Sequence, residues 1–489
     1  MNSPQRVFTG AECRKLDQRA IDEFQIPGIT LMRRAGQFAW QTIQRHWPGS
    51  KHIKVYCGSG NNAGDGYIVA GIAINAGHFV TVEEIGESRN LRGDAKTAFE
   101  WYKDQCDSVP VRANEIEPDV VVDALLGTGV SGSMRANYQI AIDEINASNC
   151  PVLAIDLPSG LDPDTGQVLA APPVQATVTT TFIGMKMCLV TGKGVNFVGQ
   201  VLLSTLGVPD KVFETDFGIP QIPRSVSLSS LPKRLPGSYK NQSGSILVVG
   251  GDLGTGGAAL LTAESALRTG AGLISVITRP EHVGAFLSRL PELMVRGVRT
   301  GEPIQSYIES ADVIAVGPGL GQRRWGETLL DQILESNKPK VIDADALNIL
   351  ATREARKLHN CILTPHPGEA ARLLQCSNAD IENDRVSAVK ALSRKFGCQV
   401  VLKGAGSLVS DPEGHVSILA EAVPALATGG SGDVLTGITA TSLALQTDHR
   451  DAAEIAVYLH AKAGKTAYAA NHPKVVTASD IAAAIQPWS

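Results

Sequence analysis

IKVYCGSGNNAGDGYIVAGIAINAG, residues 53–77, joins a short run that reads as a buried strand to a longer apolar run through a glycine-rich loop. Gly58, Gly60 and Ala63 satisfy G-x-G-x-x-G/A, the pattern of a strand-to-helix turn whose backbone N–H groups receive a dinucleotide's pyrophosphate. Glu83 and Glu84, some twenty residues on, stand where that fingerprint puts its ribose-binding acid. Asp65 argues against it. Read as lying in the first helical turn, its carboxylate would repel a pyrophosphate seated on the same helix end. Asn61 and Asn62 have no place in the fingerprint either.

Working outward, HFVTVEEIG, VVVDALLG and PVLAIDLPSG follow as further strand candidates, each bounded by turn residues. Alternation of such runs with helical segments predicts an α/β fold: a Rossmann-like three-layer domain whose mostly parallel sheet carries helices on both faces. Loops at the carboxyl ends of the strands are then expected to carry the chemistry. Around residues 220–231 Pro, Ser and Gly accumulate and the periodicity disappears, which predicts a linker between domains 1–219 and 232–489. A second strand series follows: SILVVGG, LISVIT, DVIAVGPGLG, KVIDADALNIL, CILTPH and QVVLKGAG. It predicts a second α/β domain.

A chain of 489 residues has room for two such cores. Hydrophobic residues at 43% and charged residues at 19% are ordinary for a globular enzyme. A formal charge of -5 offers no field for a phosphate backbone, so nucleic acid is not an expected partner. No apolar run is long enough for a membrane span, and no C-x-x-C pair suggests zinc or redox chemistry. A cytoplasmic protein with reduced thiols, assembled as a homo-oligomer, is expected.

Three strand ends could converge in the first domain. Asn62, Asp123 and Ser159 would offer amide, carboxylate and hydroxyl oxygens, an all-oxygen shell suited to a hard cation, although a strand-terminal Asp before Gly is often only a turn. The motifs GSGNNAGDGYIVAG, DALLGTGVSG, DLPSGLDPDTG and TFIGMKMCLVTGKGVNFVGQVLLSTLGVP, opened by IPGITLMRRAG, resemble the NAD(P)H-hydrate epimerase family over residues 10–212. The resemblance implies that Asn62, Asp123 and Ser159 bind potassium. It implies that Asn61, Asn62, Ala63, Gly64 and Asp65, with Gly127, Thr128, Gly129, Val130, Ser131, Gly132, Ser133 and Asp156, hold the hydrated dinucleotide. Ala63 replaces a commoner glycine, and the arginines of MRRAG stand where the family often has acid and amide. In such a reaction the C6 hydroxyl beside the ring nitrogen leaves and returns through an iminium, and a carboxylate, here Asp156, shuttles the proton.

The second half has no Walker lysine motif, because the GKT at residues 464–466 is preceded by Leu459 where a glycine is required. ATGGSGDVLTGITATSLAL instead predicts a helix whose first N–H groups would clamp a phosphoryl group while Asp433 takes a proton from a hydroxyl. In VLKGAGSLVS, Lys403 follows a strand as a candidate phosphate contact. In LTPHPGE, Pro365 and Pro367 hold His366 in a restricted loop. The series resembles the ADP-dependent NAD(P)H-hydrate dehydratase family, of ribokinase-like fold, over residues 232–487. That implies ADP contacts from Lys403, Gly404, Ala405, Gly406, Ser407 and Gly432, and hydrate contacts from Ala258, Gly321, His366 and Asp433. It also implies magnesium with the nucleotide. Hydroxide leaves poorly, so phosphoryl transfer from ADP would turn dehydration into loss of phosphate, with AMP released.

Together the halves imply repair of hydrated NADH and NADPH, by epimerisation of the R and S forms and dehydration of the S form. The rival expectation is a small-alcohol kinase, of the hydroxyethylthiazole kind, fused to a non-catalytic nucleotide-binding module.

Overall fold

The computed structural model describes residues 6–106, 117–130, 132, 134–223, 237, 239, 243–445, 448–471 and 475–486. The chain divides into two compact units, residues 1–220 and 221–489. Of the expected linker, Pro220 ends a short strand of the first unit, while Ile222 is buried in the second unit's core and its N–H donates to the Ile418 carbonyl. Residues 224–231 lie outside the described residues.

The first unit is built on a six-stranded sheet in the order Phe79–Glu84, His52–Cys57, Val120–Ala124, Val152–Ile155, Val178–Phe182, Gln200–Ser204, parallel throughout. Alternate residues of each strand point to opposite faces. Val120 and Val122 accordingly share a core with the helices Gly28–His46 and Asn61–Asn75, whereas Val121 packs with residues of the helix Ala136–Ala147 on the other face. The chain leaves His52–Cys57 towards one edge and returns to Val120–Ala124 on the other side. The crevice at that switch lies between the glycine-rich loop and the loop after Ala124, where open α/β sheets bind ligands.

A small sheet pairs Arg6–Phe8 with Met185–Lys186 and with Ile219–Pro220. It fixes Lys186 beside Phe8, a placement no periodicity announces.

The second unit carries a nine-stranded sheet in the order Met294–Gly297, Leu273–Thr278, Ser245–Val249, Val313–Val316, Lys340–Ile342, Cys361–Leu363, Gln399–Leu402, Leu408–Ser410, Val416–Ile418. The first seven strands in that order pair in parallel, and Leu408–Ser410 runs antiparallel to both of its neighbours. Both series of strands expected from the sequence are present. Val178–Phe182 and Gln200–Ser204 in the first sheet, and Met294–Gly297, Leu408–Ser410 and Val416–Ile418 in the second, are additional. Among the described residues no helix is long and apolar enough to cross a membrane. The GKT tripeptide lies inside the helix His449–Asn471, far from any strand-to-helix turn.

Candidate active sites

The glycine-rich loop turns directly into the helix Asn61–Asn75, with Gly60 as its N-cap. Asp65 is therefore the fifth helical residue, in the second turn, and not in the first as the sequence suggested. The objection that it repels an anion at the helix end loses its geometry. The neighbouring loop packs tightly on the glycine-rich one. A Cβ on Gly86 would lie 2.6 Å from the carbonyl carbon of Gly58 and from the Ser59 nitrogen. The segment after Phe79–Glu84 thus closes onto the glycine loop, and Glu83 is spent on Lys54, 3.6 Å away.

A cavity of about 430 Å³ opens on the other side of that loop. Asn61, Asn62 and Asp65 line it from the helix, Gly127, Thr128, Gly129 and Val130 from the next strand end, and Asp156 from the third. Ala63 and Gly64 are buried behind the wall, Gly64 against Met32 and Ala95. Gly132 follows in the loop, and Ser131 and Ser133 lie outside the described residues.

Three groups expected as cation ligands do meet. Asp123 and Ser159 are fully buried; the Ser159 hydroxyl donates to Asp123 Oδ1 at 2.7 Å and its N–H to Oδ2 at 2.8 Å. Burial, opposed by these bonds, raises the Asp123 carboxyl to about 6. Asn62 Nδ2 donates to the Leu126 carbonyl at 3.0 Å, which leaves Asn62 Oδ1 buried without a partner. An orphaned amide oxygen beside buried hydroxyl, carboxylate and carbonyl oxygens is the donor chemistry a potassium ion takes.

Sequence reasoning missed Lys186. Its ammonium is buried, 2.5 Å from Asp156 Oδ1, and donates to Thr181 Oγ1 at 3.0 Å and to the Phe182 carbonyl at 2.9 Å. Burial works against its charge, but Asp156, together with Cys13 and Asp17, holds the lysine above its usual pKa. A lone lysine inside the apolar run TFIGMKMCLV was the available signal, since a buried ammonium requires a carboxylate. Asp156 itself has φ 71, a left-handed conformation that Asp tolerates better than most side chains. Burial, followed by the charge of Asp156, pushes Asp65 well above the ordinary carboxylate range.

In the second unit the expected residues sit at the carboxyl ends of neighbouring strands. Gly321, after Val313–Val316, donates its N–H to Asp345 Oδ2 at 2.9 Å. Ala258 lies in the first turn of the helix Gly256–Thr269, and its carbonyl accepts from Thr262 Oγ1. The same hydroxyl lies 3.0 Å from the Asp433 carbonyl and so ties this helix to Ser431–Leu445, whose first turn holds Asp433. His366 is the N-cap of the helix Pro367–Leu374: Nδ1 accepts from the Gly368 N–H at 3.0 Å. Burial, then the charges of Lys403 and Arg372, lowers its pKa, so the imidazole is restrained by a helix start as well as by its prolines.

Gly404, Ala405, Gly406 and Ser407 form the turn between Gln399–Leu402 and Leu408–Ser410, where Ser407 Oγ donates to the Gly404 carbonyl. The Lys403 ammonium turns inward, 2.7 Å from Asp343 Oδ1 and 3.7 Å from Glu369 Oε2. Burial opposes its charge, and Asp343 and Glu369 together keep it above the usual lysine value. Asp343 also accepts from Thr436 Oγ1 at 2.6 Å. A Cβ on Gly432 would lie 3.2 Å from Lys403 Nζ, so glycine leaves open the space between that ammonium and the first turn of Ser431–Leu445. A helix start with free N–H groups beside a lysine is a phosphate cradle. Burial, then Asp343, raises the Asp433 carboxyl to about 7, against the pull of Lys403.

Comparison with known proteins gives the same division. A family model described as NAD(P)H-hydrate dehydratase matches residues 246–487, and one described as YjeF-related protein N-terminus matches residues 28–188. The bifunctional NAD(P)H-hydrate repair enzyme of Coxiella burnetii is 37% identical over 481 residues, covering 97% of this chain and 97% of its own. The enzyme of the same description from Escherichia coli is 37% identical over 486 residues, covering 99% of this chain and 94% of its own. Among solved structures, a hypothetical protein from Streptococcus mutans aligns with a TM-score of 0.50 and 29% identity, over 54% of this chain and 96% of that one. With relatives this similar along nearly its whole length, the chain belongs to the family of bifunctional NAD(P)H-hydrate repair enzymes.

Proposed function

We propose that the chain restores NADH and NADPH that have taken up water at C6 of the nicotinamide ring. The first unit interconverts the R and S hydrates, and the second dehydrates the S form with ADP. The observation that carries the reading is the Asp156–Lys186 pair at the wall of the cavity beside the glycine-rich loop. Asp156 moves the proton of the C6 hydroxyl and balances the positive charge that develops on the ring. Lys186 holds it in place. In the second unit Asp433 takes the proton of the same hydroxyl, while Lys403, Gly432 and the N–H groups of the helix start hold phosphate. Bound there, ADP with magnesium would supply the phosphoryl group, with Lys403 and Gly432 beside its phosphates. The substrates are small molecules, and we place the enzyme in the cytoplasm as a homo-oligomer.

The test is to give the full chain chemically hydrated NADH with ADP and follow the return of dihydronicotinamide absorbance. Recovery of the whole epimer mixture is expected. No recovery with ADP or ATP would end the dehydratase reading, and recovery of the S fraction alone would end the epimerase reading.

Potassium fits the buried oxygens of Asn62, Asp123 and Ser159, where it would pin the glycine-rich loop to the two neighbouring strand ends. Exchanging potassium for lithium is expected to slow epimerisation severalfold and to lower the melting temperature of the first unit. A rate and a melting curve indifferent to the cation would remove it from the site.

A further inference from the structure

Inverting C6 requires the hydroxyl to leave from one face of the ring and water to arrive on the other. On the epimerase reading given above, on which this inference rests, Asp156 serves one of those faces. It is poorly placed to serve both. Its Oδ1 is bound to Lys186 at 2.5 Å, its N–H donates to the Thr180 carbonyl at 2.7 Å, and its φ is 71. Lys186 is in turn anchored by Thr181 and Phe182.

The same cavity is lined by one stripe of the helix Gly10–Asp22: Cys13, Arg14, Asp17 and Ile21, at the spacing of a single helical face. That helix is fixed at its start by a capping box between Thr9 and Glu12 and by Asp164, whose Oδ1 accepts from the Gly10 N–H at 2.6 Å. Asp17 is the carboxyl of the stripe. Among the described residues it makes no hydrogen bond or ion pair, so its side chain is free to meet a ligand.

We propose that Asp17 is the second proton-transfer residue of the epimerisation, acting on the ring face opposite to Asp156. Protonated Asp17 gives its proton to the C6 hydroxyl of one epimer. The C6–O bond breaks, water departs, and the ring nitrogen's lone pair forms the N=C6 iminium. Water then adds to C6 from the other face, the iminium π electrons return to nitrogen, and the water's proton passes to the Asp156 carboxylate. Exchange with solvent in the cavity, or a turnover in the reverse direction, resets both carboxyls. The charge environment supports the role. Asp17 reaches solvent at the cavity wall, yet the protein packed around it, then Asp156, raises its carboxyl to about 6 against Lys186 and Arg14, so near neutrality it both gives and takes protons. Asp65, Cys13, Asp94 and Tyr138 are the other titratable groups that line the cavity.

The test uses each purified hydrate labelled with oxygen-18 in its C6 hydroxyl, incubated with the full chain without nucleotide. The unaltered enzyme is expected to interconvert the epimers and release label from both. Asp17→Asn is expected to slow interconversion about a hundredfold or more while still releasing label from the epimer whose hydroxyl faces Asp156. Asp156→Asn is expected to release label from the opposite epimer only. Asp17→Glu, which keeps a carboxyl on the same helix, is expected to regain part of the interconversion and so separates chemistry from folding. Interconversion at the wild-type rate in Asp17→Asn, or equal loss of label release from both epimers, overturns the inference. Failure of the unaltered enzyme to interconvert the hydrates overturns the epimerase reading beneath it.

Discussion

Asp433→Asn is expected to lower ADP-dependent dehydration of the S hydrate by about 10²- to 10⁴-fold, the usual contribution of a positioned general base. The amide preserves the side chain's shape at the helix start but accepts no proton. The epimerase activity of the same preparation should be untouched, because its residues belong to the other unit. The pH profile sharpens the expectation. Burial and Asp343 raise the Asp433 carboxyl to about 7, with Lys403 opposing and Glu369 and Asp345 adding to the rise. Below that pH the group holds its proton and cannot act as base; above it the carboxylate is present. Turnover with saturating nucleotide should therefore climb as pH rises through about 7 and then level. An unchanged rate in the variant, or a profile with no rise near neutrality, would take the base role from Asp433.

Asp156→Asn should remove epimerisation by a comparable factor, about 10² or more, while dehydration of pure S hydrate continues. Asn is the informative replacement because it, like Asp, accepts the left-handed backbone at this position, whereas Ala adds a conformational cost of its own. A mixture of epimers would then be consumed only to its S fraction, which absorbance reads directly. Lys186→Met should weaken epimerisation too, and additionally stability, by about 3 to 5 kcal/mol as expected for breaking a buried ion pair. A wild-type rate of interconversion in either variant would show that the pair is architecture and not chemistry.

Most strands of both sheets were legible because they are short apolar runs bounded by turn residues; Val178–Phe182, with three threonines inside it, and Gln200–Ser204 were not. That a helix follows each glycine-rich turn was legible too, the one at Ser431 with its Asp433 in the first turn. The short edge strands were not, because runs as brief as Met294–Gly297, with Arg296 inside, carry no periodicity to detect. Asp65 was misplaced by one turn because the start of its helix depends on where the loop's glycines stop turning. The partners of the site carboxylates were hidden for a different reason. Lys186 is thirty positions from Asp156, and Asp343 is sixty from Lys403; only the order of strands brings each pair together. Sequence names the acids, but topology chooses their cations.

The closure of the Gly86 segment over Gly58 and Ser59 bears finally on selectivity. A repair enzyme works among intact coenzymes that share the adenosine end of its substrate and differ from it only at the ring. Affinity invested in that shared end would be wasted on undamaged molecules, which would then act as inhibitors. With Gly86 packed on one side of the glycine-rich loop, the cavity that holds Asp156 and Lys186 lies on the other. Intact NADH is accordingly expected to inhibit epimerisation only weakly, which a competition assay would read.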